Sequence, residues 1–285
     1  MTDIYNSEEF ATLIELAYRE DAPTGDLSTR YILSESDRAI ATLIAKDDGI
    51  VSGLEVAYMV LCRCTPEEEI TFTSEYEDGD EVRKGDILAT IEAPYAELLR
   101  AERIMLNFLQ RMSGIATYTH QCVQCVSGTK TQILDTRKTA PGHRLTDKMA
   151  VRDGGGTNHR ASLSDMVMLK DNHIAMAGGI LPAVEEVRPH LPISIQIEVE
   201  TTTLEEVQEA IDAGADIIML DNMDIETMRR AVELIDGQAK VEASGNMTVE
   251  RLAAVAAVGV DYISIGALTH SVRAFDISMK IKPIQ

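Results

Sequence analysis

The chain has 285 residues, 45% of them hydrophobic, enough for one large α/β domain or two smaller ones with a substantial core. It carries 47 Asp and Glu against 26 Lys and Arg, a formal net charge of -21, and a field of that sign repels polyanions, which argues against general binding to nucleic acid or an anionic membrane. With no Trp and only 4 Phe there is no stacking platform for bases, and the core must be built from Ile, Leu, Val, Ala and the 13 Met.

The start, MTDIYNSEEF, is acidic and polar with no basic region before an apolar run, and no later segment approaches the roughly 20 apolar residues of a membrane span. A cytoplasmic protein is expected. The first 110 residues suggest a helix over 8–19 and strands near 40–46 and 70–74. The phrase DGDEVRKGDILATIEA (78–93) sets two Gly-Asp turns around alternating residues and resembles a lipoyl or biotinyl carrier hairpin. A carrier needs an acceptor Lys at a nearby tip, but Ala93, Pro94, Tyr95 and Ala96 stand there and no Lys occurs from 85 to 129, so a structural β-hairpin is expected. A helix over 95–112 follows, with Arg100, Glu102, Arg103, Asn107, Gln110 and Arg111 among its polar positions. The four cysteines fall as Cys62, Cys64 and Cys122, Cys125; the first pair is too close for a usual structural zinc pair, so buried or idle thiols are expected.

From about residue 130 short apolar β-branched runs alternate with amphipathic helical stretches, the pattern of parallel βα units. Candidate strands are 131–135, 166–170, 194–200, 216–220, 239–243 and 261–265; helices such as 203–213 and 225–236 lie between, each beside a capping Thr or Asp. Six such units suit a small or incomplete α/β barrel, although a doubly wound sheet has the same local signals. A barrel gathers its ligand groups at the strand carboxyl ends. Charged and small residues recur there: Asp135, Arg137 and Lys138; Lys170 and Asp171; Glu198 and Glu200; Asp221 and Asn222; Ser244, Gly245 and Asn246; Gly266.

Residues 135–160, DTRKTAPGHRLTDKMAVRDGGGTNHR, hold six basic and three acidic side chains, so the rest of the chain stands at -24. Arg137, Lys138, His159, Arg160 and Lys170 in one short span, with Gly154–Gly156 for close backbone approach, read as an anion clamp for carboxylate or phosphate. Glu198 and Glu200 share one strand face, with Ile195, Ile197 and Val199 on the other. Together with Asp221 they make an acidic wall able to hold Mg²⁺ beside an anion or to stabilise a developing cation. SGN (244–246) and IGALTHS (265–271) put small residues between a strand and a helix start, where free N–H groups favour phosphate, and His270 offers a further donor.

DTRKTAPG, GGGTNHR, LKDNHI, IEVE, MLDN, EASGN and IGALTHS, with EDAPTGDLST (20–29) and AERIMLNFLQRMSGIAT (101–117), resemble the quinolinate phosphoribosyltransferase family, in order and from about residue 20 to the end. The resemblance implies an N-terminal α/β sandwich domain (1–112, joined by the tail 273–285) and a C-terminal open α/β barrel (113–272) in a homodimer. It implies that Arg137, His159, Arg160 and Lys170 hold the two carboxylates of quinolinate, with Arg103 reaching in from the partner subunit. Lys138 would meet phosphoribosyl pyrophosphate, Thr136 beside it is a further substrate-binding candidate, and Glu200 and Asp221, with Glu198 as a further candidate, would serve the ribose and Mg²⁺. Ser244, Gly245, Asn246, Ile265, Gly266, Ala267 and His270 would surround the 5-phosphate. Lys138, Lys170, Glu200 and Asp221 are the implied catalytic groups. The chain departs from the family pattern at Asp153, where Cys is frequent. The rival readings are a phosphoribosyltransferase of the same fold acting on another acid and a non-catalytic binder of phosphorylated sugars.

Overall fold

A computed structural model describes residues 7–284; the reading of the N-terminal start falls partly on residues 1–6, outside that range. The chain divides into two compact units. The first takes the described residues up to Tyr118, residues 139–155 and the tail from Ser271; the second takes 119–138 and 156–270. This division runs later than a boundary at 112, and it assigns 139–155 to the first unit.

In the first unit, α1 (Glu8–Asp21) starts where the Ser7 side chain accepts the Phe10 N–H, with Glu8 and Glu9 in the first turn complementing the helix dipole. Its Phe10, Ile14 and Tyr18 recur every fourth residue and are buried, and the Tyr18 hydroxyl donates to the Val60 carbonyl at 2.9 Å. The strands β1 (Arg38–Ala45), β3 (Thr71–Thr73), β5 (Ile87–Pro94) and β12 (Ile277–Pro283) form an antiparallel sheet in the order β12-β1-β5-β3. The small strands β2 (Gly49–Ile50) and β4 (Glu81–Val82) pair with each other. Helices α2 (Leu54–Cys62), α3 (Tyr95–Cys125) and α4 (Arg144–Asp153) complete the unit, α3 continuing past its limit. Asp147 of α4 is fully buried and takes two parallel bonds from Arg111, at 2.8 and 2.7 Å.

Two expectations here need correction. Residues 78–93 do not form a hairpin of mutually paired strands, since β4 pairs with β2 while β5 pairs with β1 and β3. The turns themselves exist: Gly79 and Gly85 adopt left-handed φ, and Asp80 and Asp86 accept the N–H groups of Glu77 and Arg83. A turn reverses the chain without choosing the partner strand. The helix expected to end at 112 runs to Cys125, because Ser113 and Gly114 are contact residues and not breakers. Ser113 is bonded to the Ser52 backbone, and a Cβ on Gly114 would meet the Arg273 carbonyl oxygen at 2.2 Å.

In the second unit β6 (Gln132–Leu134), β7 (Val167–Leu169), β8 (Ile197–Thr201), β9 (Ile217–Asp221), β10 (Lys240–Ser244) and β11 (Tyr262–Ser264) form one parallel sheet ordered β6-β11-β10-β9-β8-β7. Successive strands β7 to β11 are neighbours and β6 lies beyond β11, so the sheet winds in one direction, as an α/β barrel does, and has no reversal of the doubly wound kind. With β6 and β7 at the two ends the barrel is open, as expected. Helices α5 (Asp171–Ala177), α6 (Ile180–Val187), α7 (Leu204–Asp212), α8 (Ile225–Ile235), α9 (Val249–Ala256) and α10 (Ala267–His270) follow their strands. Thr203 and Asp224 cap α7 and α8 by accepting the N–H groups of Glu206 and Thr227. Strand β8 starts at Ile197, leaving Ile195 in the preceding turn and not on the strand face.

Candidate active site

Period-2 alternation sorts the residues of these strands. Ile197 and Val199, Ile218 and Leu220, and Val241 and Ala243 take one face and are buried. Met168, Glu198 and Glu200, Met219 and Asp221, and Glu242 and Ser244 take the other, and all but Glu198 line a cavity of about 960 Å³. The rest of its lining comes from the loops after the strands.

Thr136, Arg137, Lys138, His159, Arg160, Lys170, Glu200, Asp221, Ser244, Gly245, Asn246, Ile265, Gly266, Ala267 and His270 all border this cavity. The sequence reading assigned every one of them to substrate. Two of its candidates do not border it: Glu198 lies buried behind His159, and Arg103 is exposed on α3 in the first unit. Glu242 is the acid that the reading passed over, although it interrupts the strand KVEAS as Glu198 interrupts IEVE. Thr248, Met168 and Met219 also border the cavity without having been singled out.

The cationic wall is held by local geometry. Fully buried Asp135, at the end of β6, accepts the His159 N–H at 2.8 Å and the Asn158 amide at 2.7 Å, fixing the turn that follows the triple glycine. The Arg160 guanidinium donates to the Met166 carbonyl at 3.2 Å and rests on the Met168 sulfur. Burial, and then the nearby Arg137 charge, lower its pKa. Two guanidinium groups that feel each other beside a cavity suit a ligand with more than one negative charge. Lys170 Nζ is bonded to Glu200 Oε2, which joins the cationic wall to the acidic one.

On the other side, Asp221 accepts the Asn222 side-chain amide at 2.7 Å, and Asn222 accepts from Asn246 at 3.0 Å. Gly245 between them has φ +90°, and a Cβ there would lie 2.2 Å from Asn222 Oδ1, so only glycine fits this close loop. For a Mg²⁺ ion, Glu200 and Asp221 offer carboxylates at neighbouring strand ends, each with one oxygen outside the bond just described; this suits an ion held by one or two carboxylates plus substrate phosphate.

Beneath the clamp, His159 Nε2 lies 3.1 Å from Glu198 and 3.2 Å from Glu242, both fully buried. Its Nε2 faces both carboxylates at hydrogen-bond distance. Nδ1 accepts the Arg160 N–H at 2.7 Å. Burial alone would keep the ring neutral, but the two carboxylates outweigh it and raise the pKa to about 10; burial and the Glu242 charge raise Glu198 to about 7. Both shifts mean that the trio keeps a proton beyond the usual carboxylate range. While Nδ1 accepts the Arg160 N–H it keeps its lone pair, so the proton of that ring is the one on Nε2. His159, Glu198 and Glu242 are the grouping of metal-ligand type among the described residues.

Cys62 and Cys64 lie in the first unit and Cys122 and Cys125 in the second, and none of the four forms a disulfide. No helix among the described residues is long and apolar enough to cross a membrane.

The model of the quinolinate phosphoribosyl transferase C-terminal domain matches residues 115–280, and that of the N-terminal domain matches 26–113. The chain is 43% identical over 279 residues to a Bacillus subtilis protein named "Probable nicotinate-nucleotide pyrophosphorylase [carboxylating]", covering 97% of this chain and 94% of that one. It is 44% identical over 292 residues to the chloroplastic nicotinate-nucleotide pyrophosphorylase [carboxylating] of Arabidopsis thaliana, covering 96% and 83%. The crystal structure of NadC from Streptococcus pyogenes superposes with a TM-score of 0.92 at 40% identity, covering 97% of this chain and 98% of that one. With two family domains spanning nearly its whole length and a cavity whose walls carry the residues of the shared motifs, the chain belongs to the quinolinate phosphoribosyltransferase family.

Proposed function

We propose that the protein transfers the phosphoribosyl group of phosphoribosyl pyrophosphate to quinolinate with loss of CO₂, forming nicotinate mononucleotide and pyrophosphate for NAD synthesis. The observation that carries this reading is one cavity with Arg137, Arg160 and Lys170 on its cationic side and Glu200 and Asp221 on its acidic side. Its two sides match a dicarboxylate and a sugar that becomes cationic as it reacts.

Arg137, Arg160 and Lys170 orient the two carboxylates of quinolinate, so that the ring nitrogen faces the ribose C1. The cavity edge of the His159 ring shapes that pocket. Lys138 and Thr136 meet the pyrophosphate, and the turns 244–246 and 265–267, with His270, hold the 5-phosphate. Glu200 and Asp221 hold the ribose hydroxyls and stabilise the positive charge that develops on the sugar. The same two carboxylates would hold Mg²⁺, which when bound would supply neutralising charge for the leaving pyrophosphate. As the C1–O bond breaks, the quinolinate nitrogen bonds to C1 and becomes quaternary. The bond from ring C2 to its carboxylate then breaks, its electron pair is held at C2 beside the positive nitrogen, CO₂ leaves, and C2 takes a proton from water. Positioning of the two substrates supplies about 7–11 kcal/mol of the acceleration.

The protein works as a homodimer, with exposed Arg103 supplied to the partner subunit's cavity, and in the cytoplasm, a compartment that suits four cysteines outside any disulfide. Purified protein with Mg²⁺, phosphoribosyl pyrophosphate and quinolinate releases CO₂ and pyrophosphate in equal amounts. Preferred turnover of nicotinate, without CO₂, overturns the assignment in favour of a relative acting on another acid.

A further inference from the structure

The two buried acids behind the clamp, Glu198 and Glu242, have no role in the chemistry just described. They do not serve the backbone: the oxygens of Glu198 and Glu242 have no hydrogen-bond partner among the described residues and face His159 Nε2 at ion-pair distance. Burying two carboxylates in the layer where Glu198 lies in register with Met168 and Glu242 with Met219 is costly, and a fully apolar layer would pack at least as well. Such a group persists when it specifies an arrangement that apolar side chains would leave loose. What it arranges here is the imidazole. With Nε2 turned toward the two acids, Nδ1 is left to accept the Arg160 N–H at 2.7 Å. The ring thereby anchors the backbone of Arg160, whose guanidinium runs on to the Met166 carbonyl and the Met168 sulfur.

We propose that Glu242, acting with Glu198, is a positioning residue for acid recognition: it locks His159 with its proton on Nε2, and the ring in turn fixes Arg160 in the clamp. This rests on the reading of the cavity as a quinolinate site. It gives His159 a part other than donating to the substrate, since both ring nitrogens are engaged within the protein. It also separates the two acidic residues of β8 by task, Glu198 facing His159 and Glu200 facing Lys170 and the cavity.

Steady-state kinetics of Glu242→Ala and Glu242→Gln test the idea. The alanine variant raises KM for quinolinate by roughly tenfold or more, with KM for phosphoribosyl pyrophosphate and kcat within about threefold of the parent protein. The glutamine variant recovers quinolinate KM to within about threefold, because its carbonyl oxygen still accepts the Nε2 proton. A purely structural role moves both KM values together and lowers thermal stability in both variants. Equal loss for the two substrates, or glutamine as impaired as alanine, overturns the proposal. Nitrogen NMR of the histidine-labelled protein, with His159 assigned by its loss in His159→Gln, needs no Glu242 variant to fold: the ring is expected to carry a proton on Nε2, and a ring protonated at Nδ1 alone overturns the proposal. If the parent protein releases no CO₂ from quinolinate, the functional reading fails while the NMR result still decides how His159 is held.

Discussion

The two ends of the parallel sheet carry the same kinds of charged side chain and use them differently. At the amino end, beside a smaller hollow of about 440 Å³, Asp261 accepts the Val241 N–H and pairs with Lys130 and Lys240, while Asp216 accepts the Ile197 N–H and pairs with Arg188. Each acid there ties a strand start to its neighbour. At the carboxyl end Glu200, Asp221 and Glu242 meet only side chains, Lys170, Asn222 and His159 in turn. Asp135 and Asp171 at this end do accept backbone N–H groups, and Asp135 thereby holds the His159 turn. The amino-end acids Asp216 and Asp261 satisfy strand N–H groups, whereas the cavity-lining Glu200, Asp221 and Glu242 do not. Charge type and position near a strand end do not separate them.

Truncation at the two ends should therefore have opposite signatures. The largest effect is expected at Arg137: Arg137→Ala weakens quinolinate binding on the order of a hundredfold, about 3 kcal/mol, and leaves phosphoribosyl pyrophosphate affinity and thermal stability nearly unchanged. Calorimetric titration with each substrate measures this, and equal loss for both would dissolve the distinction between the cavity's two walls.

The reverse pattern is expected at Asp261. Burial disfavours its charge, but the Val241 N–H with Lys240 and Lys130 prevail and hold its pKa below the ordinary 3.8. A carboxyl with a lowered folded pKa contributes stability that is complete above the unfolded value and is lost as pH falls through the folded one. Asp261→Asn should cost about 1–2 kcal/mol at neutral pH, with the deficit shrinking only below about pH 4, and kcat/KM should stay as it was. Denaturation across pH beside the activity assay checks both. A fall in kcat/KM without loss of stability would mean that the amino end also takes part in function.

Much of this contrast could be read in the sequence, and the reasons are physical. Buried parallel strands write themselves as β-branched runs, so all six lie within three residues of their expected limits, and Thr203 and Asp224 announce their helices by capping chemistry. Ligand groups follow strand tips, which brought fifteen candidates to one cavity. Pairing was not legible for residues 78–93, because a Gly-Asp turn records reversal and not the partner strand. Nor was the length of α3, because Gly114 reads as a breaker until Arg273 is seen crossing it. Glu242 was missed for a related reason. One acid inside an apolar run looks like noise until register sets it beside Met219 and the fold brings His159 against it.

The smallest effect is expected at Arg188, and it sharpens the contrast most finely. Its side chain is 43% exposed, it lies 3.3 Å from Asp216, and it donates to the Gly214 carbonyl. A solvent-screened pair of this kind is worth about 0.5 kcal/mol or less, and Asp216 keeps the Ile197 N–H when the arginine is gone. Arg188→Ala should thus lower stability only slightly, by an amount that fades at high salt, with both KM values unchanged. Asp216→Ala should cost more, because it strands a strand N–H that water reaches poorly. If the two variants were equally mild, the backbone bond would not be what makes the amino-end acids structural, and the criterion separating the two ends would have to rest on burial alone.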